Sequence, residues 1–394
     1  MSKLNDVVIV SAKRTPIGSF QGVFSNFSAH KLGALVIKSL IEETKIDKTA
    51  VDEVIMGNVL SAGQGQAPAR QAALGSGLPN SVECLTINKM CGSGLKAVML
   101  ASQAIQAGDA EIIIAGGMEN MSQAPYLLPK ARSGYRLGNG EFIDSIIKDG
   151  LWDAYNDKHM GTCAEMCVNK NSFSREDLDN FAKISYERAI HAQENNIFIE
   201  EIVPVTVSHR KSDDQIINND EEPSRVNFKK MPLLKPAFED NGSITAANAS
   251  KINDGAAALM LMAREKANSL GLKPLVSIMA QASASHEPEW FTTAPLKAIS
   301  STLKKGNLNS NDIDLWEINE AFGPVVMAAI KEYKLDHNKV NIHGGAIALG
   351  HPIGCSGARI LTTLIHAMIK REARTGLATL CIGGGEASAI LVRR

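Results

Sequence analysis

Four residues that could take part in acid, base or nucleophilic chemistry lie next to glycines at the ends of apolar segments. They are Cys91 in CGSG, Asn319 in INEAFGP, His351 in GGAIALGHPIGCSG and Cys381 in CIGGGEA. Taken singly, each has a structural explanation, because cysteine is often a small core residue, asparagine often caps a helix and a lone histidine is often a hydrogen-bonded core residue. Ligands gather at the carboxyl ends of strands in α/β sheets, so the shared placement favours one common site.

Cys91 and His351 stand where a nucleophile and a rigidly held imidazole would be expected. A glycine-rich helix pattern begins directly after Cys91, and a helix N-terminus lowers the pKa of a thiol. Pro352 follows His351, and it disfavours helix and keeps the imidazole on a bend. Together with Cys381, this set suits an acyl intermediate on one thiol and a second acid/base for a carbon that loses a proton.

The elements that must position these residues repeat within the chain. Two pairs of segments share the same order of polar break, helix pattern and apolar strand: 46–58 with 308–320, and 91–117 with 354–384. The offset of the first pair is 262, and Gly94 and Gly357 in the second pair are 263 apart. Two independent segments with nearly the same offset indicate a duplicated unit.

Each repeat alternates apolar strands with amphipathic helices, which predicts an α/β fold with a mostly parallel sheet in each half. Between the halves, a polar and turn-rich region surrounds one clear helix pattern, for which Ser174 and Asp177 form a plausible N-terminal cap. A structureless connection of that length is improbable in a compact fold, so the region is interpreted as an inserted domain. The predicted units are 1–119 with 249–270, an insertion over 120–248, and 271–394.

Composition excludes several classes of function. The 394 residues are 44% hydrophobic with a net charge of −1, which offers no electrostatic footprint for nucleic acid. No window is apolar enough for a membrane helix, and the first residues lack the features of a signal or transit peptide, so a cytoplasmic protein is expected. Six cysteines in so long a chain are not a disulfide framework. Neither a metal-ligand pattern nor a phosphate-binding signature is present, so no metal or bound cofactor is expected.

Five motifs, in this order and with these separations, resemble the thiolases: NKMCGSGLKAV, AGGMENMSQAP, NEAF, GGAIALGHPIGCSGAR and CIGGG. HMGTCAE and AANASKINDGAAA extend the resemblance over essentially the whole chain. The resemblance implies a thiolase-like α/β fold of duplicated βαβαβ halves with mostly parallel sheets and an inserted loop domain that binds coenzyme A.

The resemblance also implies roles for individual residues. Cys91 matches the nucleophile that attacks an acyl-CoA thioester, and His351 matches the base that activates it. Cys381 matches the acid/base that exchanges a proton with the α-carbon of the second acyl-CoA. Asn319 matches the residue that holds a water which, with His351, stabilises the enolate oxygen. The amides of Cys91 and Gly383 match the oxyanion hole around the acyl group.

Coenzyme A contacts are expected mainly from the loop domain. The matching positions are His159, Met160, Arg225, Leu234, Phe238, Ala246, Ser250, Phe291, Ala321 and Phe322. Ser250 would contact the pantetheine arm, and Arg225 would lie near the adenine end, with Lys229 or Lys230 as a substitute. Phe291 begins a Phe-Thr-Thr-Ala turn where the family usually has a Met-Gly turn, so it bears on the preference for acyl length.

The expected activity is acetyl-CoA C-acetyltransfer, a reversible Claisen condensation of two acetyl-CoA to acetoacetyl-CoA and CoA. The His159–Met160 pair resembles the short-chain members, in which a methionine narrows the pocket. A degradative 3-ketoacyl-CoA thiolase of broader chain length is the alternative within the class. A non-catalytic acyl-CoA or lipid carrier is the alternative from another class, although the retained catalytic set argues against it. The family's assemblies imply a homodimer or homotetramer.

Overall fold

The computed structural model describes residues 6–209 and 212–394. The strands are β1 Val7–Arg14, β2 Gly18–Ser19, β3 Glu53–Gly57, β4 Glu83–Ile87, β5 Ile112–Asn120, β6 Tyr126–Leu127, β7 Ile143–Asp144, β8 Trp152–Asp153, β9 Lys158–His159, β10 Val205–His209, β11 Ser212–Ile217, β12 Asn253–Ala263, β13 Val276–Ser285, β14 Leu315–Ile318, β15 Thr375–Ile382 and β16 Glu386–Arg393. The α-helices are α1 Ala29–Thr44, α2 Pro68–Gly75, α3 Ser93–Ala107, α4 Met160–Asn171, α5 Arg175–Glu194, α6 Arg264–Ser269, α7 Ala294–Gly306, α8 Gly323–Tyr333, α9 Ala346–Leu349 and α10 Ser356–Lys370.

The predicted duplication is visible in the strand order. The main path of the sheet runs β14-β15-β16-β13-β1-β12-β5-β3-β4. Its first half, β1-β12-β5-β3, matches its second half, β13-β16-β15-β14, strand for strand. Val8 and Ile9 of β1 pair with Ser277 and Val276 of β13, and these pairs join the two halves.

Strand direction follows the prediction of mostly parallel sheets. In the first half β3 is parallel to β4 and β5, and in the second half β14 is parallel to β15. Only β12 and β16 run against the other strands of their halves, since each pairs antiparallel with both of its long neighbours. The α/β class and the duplicated halves are therefore confirmed.

Helices α3 and α10 share a core with strands from both halves, so they form a layer between the two sheet halves. Their first turns cross at the two glycines that marked the repeat. A Cβ on Gly94 would lie 2.8 Å from the Ala358 amide nitrogen, and a Cβ on Gly357 would overlap the Leu95 amide nitrogen. Because only glycine permits this approach, the crossing brings the segments after Cys91 and His351 together.

The outer layers are formed by helices that each bury an apolar face against one sheet half. Helices α1 and α2 pack against the first half through a cluster that includes Leu32, Val36 and Ala72. Helices α5, α7 and α8 pack against the second half around Trp316. Five layers result, with α3 and α10 in the middle layer.

The region between the halves contains three short hairpins, α4 and α5. The predicted cap of α5 is present, since Ser174 and Asp177 form a reciprocal capping box. A buried ion network attaches the region to β1, because the Arg14 side chain contacts Glu201 at 2.6 Å and Asp220 at 2.7 Å. Removing one partner of so buried an ion network lowers the free energy of unfolding by about 3–5 kcal/mol. The three units given above stay a prediction.

No helix within 6–209 and 212–394 combines the length and apolar composition that a membrane crossing requires.

Candidate active site

A cavity of about 630 Å³ opens where the two sheet halves meet the 120–248 region. Cys91, His351 and Gly383 line it. Asn319 and Cys381 are buried directly behind its wall: the Asn319 amide lies 3.4 Å from the His351 ring, and Cys381 shares an apolar cluster with Met160 and Phe291. The structure thus brings together the five residues that were predicted to catalyse.

Cys91 sits in a tight turn between β4 and α3. The preceding residue, Met90, has φ 48°, a left-handed conformation that costs a non-glycine residue about 1–3 kcal/mol. Ser93 holds this turn, since its Oγ accepts from the Lys89 amide at 2.8 Å and donates to the Met90 carbonyl at 2.6 Å. The strain is retained where it aims a functional side chain.

The Cys91 thiol is protonated at neutral pH. Burial raises its pKa to about 11, although hydrogen bonds from the amides of Gly383 and Cys91 oppose the rise. The nearby Glu119 carboxylate raises the pKa slightly further. The lowered pKa expected from the helix N-terminus is therefore not found, because removal from water outweighs the amide dipoles. The amides of Gly383 and Cys91 nevertheless lie within hydrogen-bond reach of the sulfur, and the oxyanion hole stays a prediction.

His351 is a neutral imidazole that lines the cavity. Burial lowers its pKa to about 3, with a smaller contribution from Arg359. Its Nδ1 lies 2.6 Å from Ser356 Oγ, and that hydroxyl donates its one proton to the Pro352 carbonyl at 2.9 Å. In the tautomer that satisfies both of these Ser356 contacts, Ser356 accepts from Nδ1–H, and the Nε2 lone pair has no partner among the described residues.

The main chain of His351 is also fixed. Its amide donates to Asn253 Oδ1 at 2.9 Å, and the preceding Gly350 has φ 111°. Ser356 and Asn253 were not identified from the sequence. The available signal for Ser356 was its position at the N-terminus of the helix pattern, five residues after the histidine.

Asn319 follows β14 and is fully buried. Its amide nitrogen donates to the Thr379 carbonyl at 3.0 Å, which fixes the backbone. Its side-chain Oδ1 is buried and has no partner in the described part of the chain. A buried carbonyl without a partner is rare, so this oxygen fits the predicted task of holding a water.

Cys381 lies near the end of β15, and a triple-glycine turn follows. Burial raises the pKa of its thiol well above the ordinary value, and the neighbouring Cys91 raises it further. Gly384 and Gly385 have φ of 89° and 80°, so the turn depends on glycine. A Cβ on Gly383 would lie 3.7 Å from Met160 Sδ, which places Met160 beside Gly383 in the cavity wall.

A row of rings forms one wall of the cavity. His159 caps α4 by accepting from the Gly161 amide at 3.0 Å, and its ring stacks on Phe238 with centroids 4.8 Å apart. Phe322 meets Phe238 edge-on at 6.0 Å and Phe291 at 6.2 Å. These predicted contact residues therefore form one continuous surface.

The remaining predicted contacts divide into two groups. Ala246, Ser250, Ala321 and Arg225 line the cavity, and the Ser250 amide donates to the Ala321 carbonyl at 3.0 Å. Arg225 is exposed and pairs with a glutamate one turn before it. Leu234 is not part of the cavity wall, because it packs against the apolar core beside α5.

Sequence reasoning did not identify the further residues that line the cavity: Ser19, Phe20, Met121, Gly150, Leu151, Glu222, Lys251, Ile252 and Ile353. They come from segments far apart in the chain. Met121, Lys251, Ile252 and Ile353 lie within motifs of the family resemblance, whereas the others lie outside those motifs. Within the described residues, no three His, Cys, Asp or Glu side chains form a group that could hold a metal ion.

Comparison with known proteins agrees with this geometry. Residues 7–265 match the thiolase N-terminal domain, and residues 272–394 match the thiolase C-terminal domain. The chain is 50% identical over 392 residues to the acetyl-CoA acetyltransferase of Pseudomonas aeruginosa, with 99% of this chain and 100% of the relative covered. It is also 50% identical to the mitochondrial acetyl-CoA acetyltransferase of Rattus norvegicus, with 99% and 92% covered.

Two solved structures have the same fold. The Acat5 thiolase from Ascaris suum in complex with coenzyme A superposes with a TM-score of 0.94 at 46% identity, covering 99% of this chain and 100% of that one. The Bacillus anthracis acetyl-CoA acetyltransferase superposes with a TM-score of 0.97 at 39% identity, with both chains fully covered. The chain belongs to the thiolase family.

Proposed function

We propose that this thiolase is an acetyl-CoA C-acetyltransferase, which interconverts two acetyl-CoA with acetoacetyl-CoA and CoA through an acetyl-Cys91 intermediate. One observation carries the proposal: a neutral imidazole and the Cys91 thiol line the same cavity, the Cys381 thiol neighbours Cys91, and two amides reach the Cys91 sulfur. Relatives named acetyl-CoA acetyltransferase, 50% identical over nearly the whole chain, support the same reaction.

Cleavage of acetoacetyl-CoA begins at Cys91. The thiol gives its proton to His351 Nε2, and the sulfur attacks the 3-keto carbon. Negative charge then develops on the keto oxygen, and the amides of Cys91 and Gly383, which lie beside the sulfur, are proposed to donate to it. Because these donors need no reorganisation, they stabilise the charge more than water would.

The carbon–carbon bond then breaks, leaving an acetyl group on Cys91 and the enolate of acetyl-CoA. Cys381 donates its proton to the enolate carbon and becomes a thiolate. Its high pKa keeps it protonated in the free site, as this step requires. Protonated His351 and a water on Asn319 stabilise the enolate oxygen, and the proton on His351 then returns to Cys381.

The second half-reaction releases the acetyl group. The thiol of CoA gives its proton to His351 and attacks the acetyl carbon, and the Cys91 sulfur leaves and takes that proton. Both thiols and the imidazole are again neutral, as they are in the free site. Condensation is the same sequence in reverse, and the thioesters are substrates, so the chemistry requires no bound cofactor.

Acyl length is set by Met160 and Phe291, which close the cavity beside Gly383. The test is steady-state cleavage of 3-ketoacyl-CoAs of increasing length. Activity should be best with the four-carbon substrate and fall steeply for longer chains, and Met160→Gly should relax that preference. Equal cleavage of six- to ten-carbon substrates by the unmodified enzyme would assign it to the degradative thiolases instead.

The covalent intermediate is tested separately. Incubation with acetyl-CoA should place an acetyl group on Cys91, as located by peptide mass spectrometry, and Cys91→Ala should abolish turnover. A label on Cys381 or Cys355 would contradict the proposal, and no label at all would indicate a carrier rather than an enzyme.

For coenzyme A, the ring wall and the loop at Ser250 are proposed to hold pantetheine. Arg225, exposed at the cavity, is proposed to meet the phosphates. An Arg225→Met variant should raise the KM for CoA thioesters without lowering kcat, because the residue is remote from the reacting atoms.

Assembly and location complete the proposal. Large apolar side chains are exposed on the 120–248 region, Leu137 and Phe142 among them, and β4 leaves a free sheet edge. Such surfaces are typical of interfaces, and they support a homodimer or homotetramer, which light scattering on a sizing column would measure. A cytoplasmic location is proposed from the composition, although curated relatives include mitochondrial proteins.

A further inference from the structure

Lys251 places a largely buried ammonium group in the wall of the cavity, and the proposed chemistry does not use it. Its Nζ donates to the Ile347 carbonyl at 3.0 Å and to the hydroxyl of Tyr186. The ammonium also lies 5.0 Å from the centre of the Tyr186 ring. A buried amine pays a large desolvation cost, so its retention beside the site calls for a physical reason.

The partners of Lys251 belong to two other parts of the fold. Tyr186 is on α5 of the 120–248 region, and Ile347 is on α9 of the second half. Lys251 itself follows Ser250, which is part of the wall proposed to hold pantetheine. One side chain therefore joins three segments that surround the substrate.

Helix α9 has four residues and leads through Gly350 directly into His351. Its N-terminal side is fixed by Glu320, which accepts from the Ile347 amide at 3.1 Å. So short a helix cannot satisfy its own carbonyls. The Lys251 ammonium donates to one of these carbonyls, that of Ile347. Asn253, two residues further on, accepts from the His351 amide at 2.9 Å.

The charged and titratable groups facing Lys251 are the buried Tyr186 on α5 and the carboxylates of Glu222 and Glu320. Burial lowers the pKa of Lys251 to about 8, although Glu222 and Glu320 oppose that shift. The ammonium is therefore charged at neutral pH, and it loses its charge as the pH rises through about 8.

We propose that Lys251 is a positioning residue: its ammonium clamps the pantetheine wall to the turn that carries His351, and so sets the distance between the base and the bound thioester. This inference rests on the proposed acetyltransferase function. Misplacement of a reacting group by about 1 Å can cost about a hundredfold in rate, so a clamp at this junction has a measurable effect.

The experiment compares Lys251→Met with the enzyme and with a matched control, Lys38→Met, which removes an exposed lysine on α1. Acetoacetyl-CoA cleavage is measured from pH 6.5 to 9.5. At pH 7 the kcat/KM of Lys251→Met should be lower by about tenfold or more, whereas Lys38→Met should match the enzyme.

The ratio of enzyme to Lys251→Met activity should shrink as the pH rises past about 8, since the neutral amine donates more weakly to the Ile347 carbonyl than the ammonium does. Titration of the catalytic thiols affects both proteins and cancels in the ratio. A ratio below two at pH 7, or a large ratio that does not change with pH, would overturn the inference.

A second variant covers the case in which Met at 251 folds poorly. Lys251→Ala leaves space for a small amine, so added methylammonium should restore part of the lost activity and tetramethylammonium should not. Equal effects of the two amines, or no recovery in a folded protein, would also count against the clamp. An unmodified enzyme that does not cleave acetoacetyl-CoA would instead refute the proposed function.

Discussion

The contact between His351 Nδ1 and Ser356 Oγ bears on which ring nitrogen is free. When the hydroxyl donates to the Pro352 carbonyl, it accepts from Nδ1–H. In that tautomer Nε2 is unprotonated, and it has no partner among the described residues. A partner of this kind fixes both the tautomer and the orientation of an imidazole.

Removing that partner should reduce the rate without unfolding the protein. Ser356→Ala is expected to lower kcat about 10- to 100-fold, by analogy with the loss of an orienting partner of a metal-bound imidazole. The readouts are kcat at pH 7 and the rate at which acetyl-CoA acetylates Cys91. Ser356→Thr, which keeps an Oγ, should recover most of the activity. If the alanine variant is as fast as the enzyme, the tautomer is fixed by another group.

The two thiols should be separable by half-reaction. Cys381→Ser should still accept an acetyl group from acetyl-CoA and exchange it with free CoA, because no proton moves at carbon in that step. Condensation and acetoacetyl-CoA cleavage should fall at least about a hundredfold, roughly 3 kcal/mol, since a hydroxyl is a poor acid/base at this pH. Isotope exchange measures acetyl transfer to and from CoA, and steady-state rates measure condensation and cleavage. Equal damage to both in a folded variant would contradict the division of roles.

At the scale of elements, the crossing of α3 and α10 aligns the catalytic segments. Gly94 and Gly357 are equivalent positions of the repeat, and each lets the other helix approach its backbone. Cys91 precedes the first of these helices, and His351 precedes the second. The distance between nucleophile and base therefore depends on two residues without side chains.

A methyl group at this crossing should be costly. Gly357→Ala would place its Cβ in overlap with the Leu95 backbone, which cannot move as a side chain can. Overpacking should lower the free energy of unfolding by about 1–3 kcal/mol. Displacement of the two helices should also lower kcat. The control is Gly323→Ala on α8, whose Cβ would meet nothing closer than 3.4 Å. Urea titration and kcat are the measurements, and equal stability of both variants would contradict the close crossing.

At the scale of the whole molecule, burial of neutral histidines makes stability depend on pH. His343 lies beneath Phe198, and its Nε2 has no partner among the described residues. Burial lowers the pKa of His343 to about 4. The unfolded chain, with an ordinary histidine pKa of about 6.5, therefore binds the proton first as the pH falls.

This difference predicts acid sensitivity. Stability should fall as the pH drops from about 6.5 towards 4, and one such histidine accounts for about 2 kcal/mol by pH 5. His343→Gln should remove that share, so the difference between the free energies of unfolding at pH 7.5 and pH 5 should shrink by about that amount. Urea titrations at both values test it. An unchanged difference would mean that His343 is accessible to protons in the folded state.

The sequence alone determined the α/β class and the duplication, and it predicted which residues would take part in the chemistry. These rest on local patterns, since strand runs, helix periodicity and glycine turns are set by residues close together in the chain. Gly94 and Gly357 marked the repeat before their contact was visible. The reaction class came from resemblance of the motifs around Cys91 and Cys381.

Only the tertiary structure decided the protonation states and the far side of the cavity. The Cys91 pKa is raised rather than lowered because distant segments remove the thiol from water. Lys251 meets Ile347 across nearly a hundred residues, and no local pattern reports such a contact. Leu234 packs into the core rather than the cavity for the same reason. Burial and long-range hydrogen bonds are properties of the whole packing, so they arise only when the chain is folded.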